Sequence, residues 1–125
     1  YPYAVPVSFV YESRKIYIHC AKSGHKLDGI ARNSKVSFCV IDQDEIVPSA
    51  YTTHFRSAIA FGRAKIMTDE AEIRAAVQLL AVKYSPLEPE ESRQKEIDGA
   101  FNRLCMIEIS IEHMTGKEAI ELVNQ

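Results

Sequence analysis

The stretch from Ile16 to Val40, IYIHCAKSGHKLDGIARNSKVSFCV, constrains the fold more than any other, because it reads as a strand, a tight polar turn, a short helix and a second strand with almost no spare chain. Ile16 to Cys20 is β-branched and aromatic. Val36, Phe38 and Val40 alternate with Ser37, Cys39 and Ile41, the period-two signature of a strand. Between them Leu27, Ile30 and Ala31 have the spacing of one buried helical face, while His25, Lys26, Asp28 and Arg32 fall on the polar side.

Ser23 sits where an N-cap is expected, its hydroxyl placed to accept from the amide of His25 or Lys26. Unpaired amides at a helix start carry partial positive charge, so Ser23, Gly24, His25 and Lys26 together have the chemistry to hold a phosphate monoester. Local chemistry alone is met as well by a plain Ser-Gly turn and a solvated lysine, the commoner case.

Upstream, YPYAVPVSFV alternates Tyr3, Val5, Val7 and Phe9 against Ala4, Pro6 and Ser8, which predicts a strand over Tyr3 to Val10. Pro6 has no amide to donate, so this strand is expected at an edge, at a bulge, or beside a ligand. The polar YESRK from Tyr11 to Lys15 predicts a hairpin turn into Ile16 to Cys20. Downstream, Asp42 to Ser49 is acidic, contains Pro48 and lacks periodicity, so a loop is expected. Tyr51 to Met67 predicts a long strand with Phe55, Ser57, Ile59, Phe61 and Arg63 on one face and Arg56, Ala58, Ala60, Gly62 and Ala64 on the other. The small side chains leave room for a flat group or a close backbone, and Gly62 suggests a bend. Asp69 and Glu72 form a capping-box pattern before a helix that runs toward Tyr84. Pro86 and Pro89 separate it from a second helix, Glu90 to Asn102, with Ile97, Ala100 and Phe101 inward. A strand over Leu104 to Glu112 buries Cys105, Ile107, Ile109 and Ile111, and the tail is expected to be mobile beyond Gly116.

Antiparallel hairpins and short connections predict a mainly β, α+β fold: a closed or nearly closed barrel with peripheral helices, forming one domain over residues 1–125. The composition is that of one globular domain, 46% hydrophobic and 26% charged. A formal net charge of −2 and scattered basic residues argue against nucleic acid as a partner. The apolar runs are too short to span a bilayer, so a cytoplasmic, non-membrane protein is expected. Cys20, Cys39 and Cys105, at wide spacings and in apolar strand-like contexts, read as reduced structural thiols.

Five segments in order carry a family resemblance: YAVPVSF at Tyr3 to Phe9, YIHCAKSGHKLD at Tyr17 to Asp28, NSKVSF at Asn33 to Phe38, FRSAIAFGRA at Phe55 to Ala64, and MTGK at Met114 to Lys117. Together they resemble the FMN-binding split-barrel family, in its pyridoxamine 5'-phosphate oxidase-related branch that includes Nim-type 5-nitroimidazole resistance proteins. The resemblance implies an antiparallel split β-barrel and a homodimer with an FMN site at each side of the interface, FAD being an alternative cofactor. It places Val5, Pro6, Val7 and Ser8 beside the isoalloxazine, His19, Cys20 and Ala21 along the ring and ribityl chain, His25 and Lys26 on the phosphate, and Arg56 and Ser57 at further polar contacts. It also makes His19 the candidate catalytic group, and implies a leading strand that would precede Tyr1. His25 stands where the family often has arginine, exchanging a permanent charge for a group only partly charged at neutral pH.

The implied activity is a flavin-dependent oxidoreductase, with NAD(P)H as reductant and a small-molecule electron acceptor such as a nitroimidazole. The alternative is a flavin- or haem-binding module for storage or sensing, with His19 or His113 as an axial ligand. No metal site is expected, because His19 and Cys20 point to opposite strand faces and His25, His54 and His113 lack ligand spacing. GxSxG, GxGxxG and GxxxxGK[ST] patterns are absent from the sequence, which removes the support for hydrolase, Rossmann and P-loop readings.

Overall fold

A computed structural model describes residues 1–123. Five antiparallel strands form one sheet in the order β1-β2-β5-β4-β3: β1 Phe9–Glu12, β2 Lys15–Ala21, β3 Lys35–Val47, β4 Thr52–Ile66 and β5 Leu104–Glu118. Helix α1, His25–Arg32, joins β2 to β3, while α2, Glu70–Tyr84, and α3, Glu90–Ala100, lie between β4 and β5. The sheet curls into a split barrel. Its edge strands β1 and β3 are not neighbours in the ladder, yet Phe9 and Phe38 meet edge-on with ring centroids 5.1 Å apart.

The concave side holds Ile16, Ile18, Leu27, Ala60, Ala64, Ile107, Ile109 and Ile111. A second cluster of Met67, Ala76, Leu80 and Met106, with Tyr17 packed against it, lies between α2 and the convex side. β5 is therefore buried on both faces between Met106 and Ile109, not only on the face of Ile107, Ile109 and Ile111. Cys105 is only half-buried. The one buried charged side chain among the described residues, Glu108, is 5% exposed and pairs with Lys15 at 3.1 Å and Lys65 at 3.4 Å, one from each neighbouring strand.

Several sequence expectations are corrected. Tyr3 to Ser8 forms no ladder, consistent with Pro6 lacking a donor, and β1 begins only at Phe9. The hairpin turn is the two residues Ser13 and Arg14, both left-handed, with Glu12 opposite Lys15. β3 continues through the acidic segment expected as a loop, because its backbone pairs with Thr52 to Arg56 across a bulge near Asp42 while the charges remain in solvent. A single 3₁₀ turn, Pro48–Ala50, connects the two strands, and Tyr51 is left-handed rather than in strand. β5 extends past Glu112 to Glu118, so Lys117 and Glu118 are paired with β4 rather than loose. Beyond it Leu122 is buried in a 3₁₀ turn; the rest of the tail lies outside the described residues. The curled sheet with two open edges is the split barrel that the sequence resemblance implies.

The helix signals fare better. Asp69 accepts from the Glu72 amide at 2.9 Å, as a capping residue should, and Pro89 precedes α3, whose Ile97 is buried. In α1 Leu27 is buried and Ile30 half-buried, but Ala31 faces out.

Burial and the Glu108 carboxylate push the Tyr17 hydroxyl above its ordinary 10.0, and the bond to Glu108 raises Lys15 above 10.5. Both groups hold their protons more tightly in the folded chain, so their contribution is complete below about pH 10 and is lost as pH rises through the raised values. A series of melting temperatures from pH 8 to 11.5 should therefore fall at the alkaline end, and Tyr17→Phe should flatten that fall. An unchanged alkaline slope in Tyr17→Phe would show that the tyrosine contributes nothing to it.

Candidate functional site

The concave side opens into a cavity of about 920 Å³ bounded by the N-terminal segment, α1 and β3. Its apolar lining includes Val5, Val7, Phe9, Ile18, Ile30, Val36, Phe38 and Val40, and Ile107 and Ile109 of β5 supply part of the floor. The wall made by the N-terminal segment is tied down at its end. Phe9 donates its amide to the Tyr84 hydroxyl at 2.9 Å, and the Lys83 ammonium donates to the Phe9 carbonyl at 2.6 Å while lying over the Phe9 ring. The contact with the Phe9 backbone holds the Tyr84 hydroxyl below its ordinary range.

At one end of the cavity stands the start of α1. The N-cap is Gly24, not Ser23, and no side chain caps the helix. Asp28 donates its amide to the Gly24 carbonyl at 3.2 Å, but among the described residues no acceptor pairs with the amides of His25, Lys26 and Leu27. Those donors and the Lys26 ammonium give the cavity an anion-accepting end. Gly24 has φ 145°, a conformation that L side chains rarely adopt. Tyr3 packs on His25 with ring centroids 4.6 Å apart, so the N-terminal segment reaches the helix start.

Of the residues expected at the site, Val5, Pro6, Val7, His25 and Lys26 line this one cavity. Ser8, His19, Cys20, Ala21, Arg56 and Ser57 do not. Cys20 packs at the edge of the concave core. His19 is exposed and, opposite Met106, lies on the other face of β2. Arg56 is held by Glu118 at 2.8 Å and Asp42 at 3.3 Å, and these partners raise its already high pKa. Ser57 lies between Ile41 and Lys117 in the ladder. Arg32, Lys35 and Asp28 were not anticipated, yet all three line the cavity. Their signal was only their position at the ends of α1 and the start of β3. Among the described residues no cluster of His, Cys, Asp and Glu is arranged to hold a metal, and no helix is long and apolar enough to cross a membrane.

This curled antiparallel sheet with a cavity on its concave side is a split barrel, and comparisons give it a family. A family model of pyridoxamine 5'-phosphate oxidase matches residues 1–118, and the chain belongs to that family. No curated protein matches the chain. Among solved structures, one assigned as a 5-nitroimidazole antibiotic resistance protein from Bacteroides thetaiotaomicron is 24% identical, with TM-score 0.76, over 93% of this chain and 68% of that one. An FAD-binding protein from Mesorhizobium loti is 23% identical, with TM-score 0.66, over 95% and 78%. An FAD- and haem-binding protein from Mycobacterium smegmatis is 18% identical, with TM-score 0.74, over 96% of this chain but only 60% of its own length. Such identities establish a shared fold.

Replacing Gly24 by alanine should strain the turn that presents the helix amides. The expected loss is about 1–3 kcal/mol of stability by denaturant unfolding. A neutral Gly24→Ala would show that the turn relaxes freely.

Proposed function

We propose that this chain is a flavin-dependent oxidoreductase that binds FMN and acts as a homodimer on a small-molecule electron acceptor. The observation that carries the proposal is the continuity of the cavity: apolar walls sized for an aromatic ring system run up to an uncapped helix start bearing Lys26. The residues present fit the cofactor on those terms. Bound there, the flavin would supply the electron transfer, with NAD(P)H as reductant. The amides of His25, Lys26 and Leu27 and the Lys26 ammonium would hold its phosphate. Val5, Pro6 and Val7 would lie along the ring and exclude water, and Ser8, Cys20 and Ala21 would complete the contacts. Arg56 would add one only by sharing its guanidinium with Asp42 and Glu118. FAD, which two proteins of this fold bind, would be held by the same helix start. A nitroimidazole is the acceptor suggested by the fold shared with the Bacteroides resistance protein.

Self-association has its own support. Ile41, Ile46, Tyr51 and Met114 are exposed on the half of the sheet that α2 leaves uncovered, and β3 presents an open edge. In a homodimer the exposed His19 of one protomer would be free to face the flavin site and pass a proton to the acceptor. A flavin- or haem-binding module without turnover is the alternative, favoured by the position of His19 on the face of β2 away from the cavity floor.

Titration with FMN and with riboflavin tests the site. Lys26→Ala should weaken FMN roughly ten- to a hundredfold and leave riboflavin nearly unchanged. Equal losses would move the phosphate elsewhere, and sedimentation of the FMN-loaded protein as a monomer would remove the dimer.

Turnover is tested by reducing the FMN-loaded protein anaerobically with NAD(P)H and adding a nitroimidazole. His19→Gln should keep its flavin and melting temperature but slow reoxidation roughly 10²- to 10⁴-fold. An unchanged rate per bound flavin would make His19 structural. A wild-type protein whose reduced flavin is not reoxidised would favour the module without turnover.

A further inference from the structure

One pair of reactive side chains lies outside the lining of the cavity. Cys20 and Cys105 stand directly opposite each other in the β2–β5 ladder, one rung from its end at Ala21 and Leu104. Ile18 faces Ile107 and Ile16 faces Ile109 in the same register, so by strand periodicity both thiols point to the concave side. There they pack at the rim of the apolar core, half-buried and as free thiols. A rim position keeps them within reach of a small reagent, which the neighbouring isoleucines would not be.

The register brings the pair within a small approach of a covalent link. Residues directly opposite in an antiparallel pair hold their Cβ atoms about 4.5–5.5 Å apart, and a disulfide needs about 3.5–4.5 Å. The closure falls beside the exposed segment Ala21 to Gly24 and the turn before Leu104, where the ladder stops and the backbone can follow. Cys39 provides the contrast: it is exposed, and its ladder partner is Ile59.

We propose that Cys20 and Cys105 form a reversible dithiol–disulfide site, oxidised by low-molecular-weight disulfides through thiol–disulfide exchange. Cys20 attacks as the thiolate, its sulfur bonds to one sulfur of the small disulfide, and the other leaves as a thiol after taking up a proton. Cys105 then loses its proton and attacks the Cys20 sulfur, releasing the second small thiol. Two protein thiols become one disulfide, and one small disulfide becomes two thiols, so atoms and electrons balance. Burial, and after it the facing Cys20 thiol, push the Cys105 thiol up, which leaves it less thiolate than an ordinary cysteine and the first attack to Cys20. The bond would join strands from opposite ends of the chain and enclose most of its length, where a cross-link restricts the unfolded state most. This assignment does not depend on the flavin.

The experiment uses the full chain with any flavin it carries, equilibrated in mixtures of reduced and oxidised glutathione, quenched in acid, alkylated and mapped by mass spectrometry. Peptides containing Cys20 and Cys105 should emerge linked to each other and separate after dithiothreitol, while Cys39 carries glutathione. Cys39→Ser should retain the link, and the oxidised protein should melt roughly 5–15 °C above the reduced one. In Cys105→Ser, Cys20 should hold glutathione as a stable mixed disulfide. The proposal is overturned if, in wild type and Cys39→Ser, the two cysteines remain free or carry separate glutathiones under conditions that modify Cys39 in the wild type.

Discussion

β4 lies against β5 only because position 62 has no side chain. A Cβ there would collide with the Ser110 carbonyl oxygen and sit 3.2 Å from the Ile111 Cα. At this point the ladder slips: Phe61 faces His113, while Gly62 faces Ile111. Such a bulge bends its strand and increases the local twist. The buried alanines at 60 and 64 leave the concave side of the bend shallow enough for Ile107, Ile109 and Ile111 to pack there. The bend is what brings the unpaired edges toward each other at Phe9 and Phe38, and the cavity lies in that curl.

β5 is the spine of the arrangement, and its sequence hides that role. The alternation Ile107, Ile109, Ile111 describes one buried face, but Met106 and Glu108 are buried too, because α2 covers the other side of this part of the sheet. Period-two patterning cannot reveal a helix packed on the polar face. Glu108 tolerates burial because Lys15 and Lys65 reach it from the flanking strands, an arrangement that depends on the register of three strands. Breaking either pair would leave part of a buried carboxylate uncompensated, whereas the exposed pair of Arg74 and Asp98 costs little to lose.

What was legible in the sequence was local. Asp69 and the Asp69-to-Glu72 spacing mark a helix start through one bond within a single turn. The strand periodicity of Val36 to Val40 and the small-residue face of β4 likewise need only neighbours along the chain. Asp42 to Val47 gave the opposite signal, since its acidic residues are favourable in solvent while its backbone is held by a distant strand. The same holds for Thr115 to Glu118, whose pairing with Arg56 to Ile59 lies across half the chain. The family resemblance placed the N-terminal segment and the α1 start in one site, and the fold does bring Val5, Pro6, Val7, His25 and Lys26 to one cavity. The Tyr3–His25 contact, and the positions of Arg32 and Lys35 around the same space, required the three-dimensional path of the chain.

That path also separates charge in a way the composition conceals. The chain as a whole has a formal charge of −2, yet the cavity lining includes Lys26, Arg32 and Lys35 against Asp28. The basic side chains are drawn from both ends of α1 and the first residue of β3, so no basic run appears in the sequence. Only Lys26 stands beside the helix amides; Arg32 and Lys35 add their charge from the far end of α1, and apolar walls reduce the water that would screen it. Arg56 contributes less to this local excess because Asp42 and Glu118 neutralise it at close range. A chain of net negative charge thus carries a local excess of basic side chains in its cavity, set by where the curl places a few residues rather than by how many the chain contains.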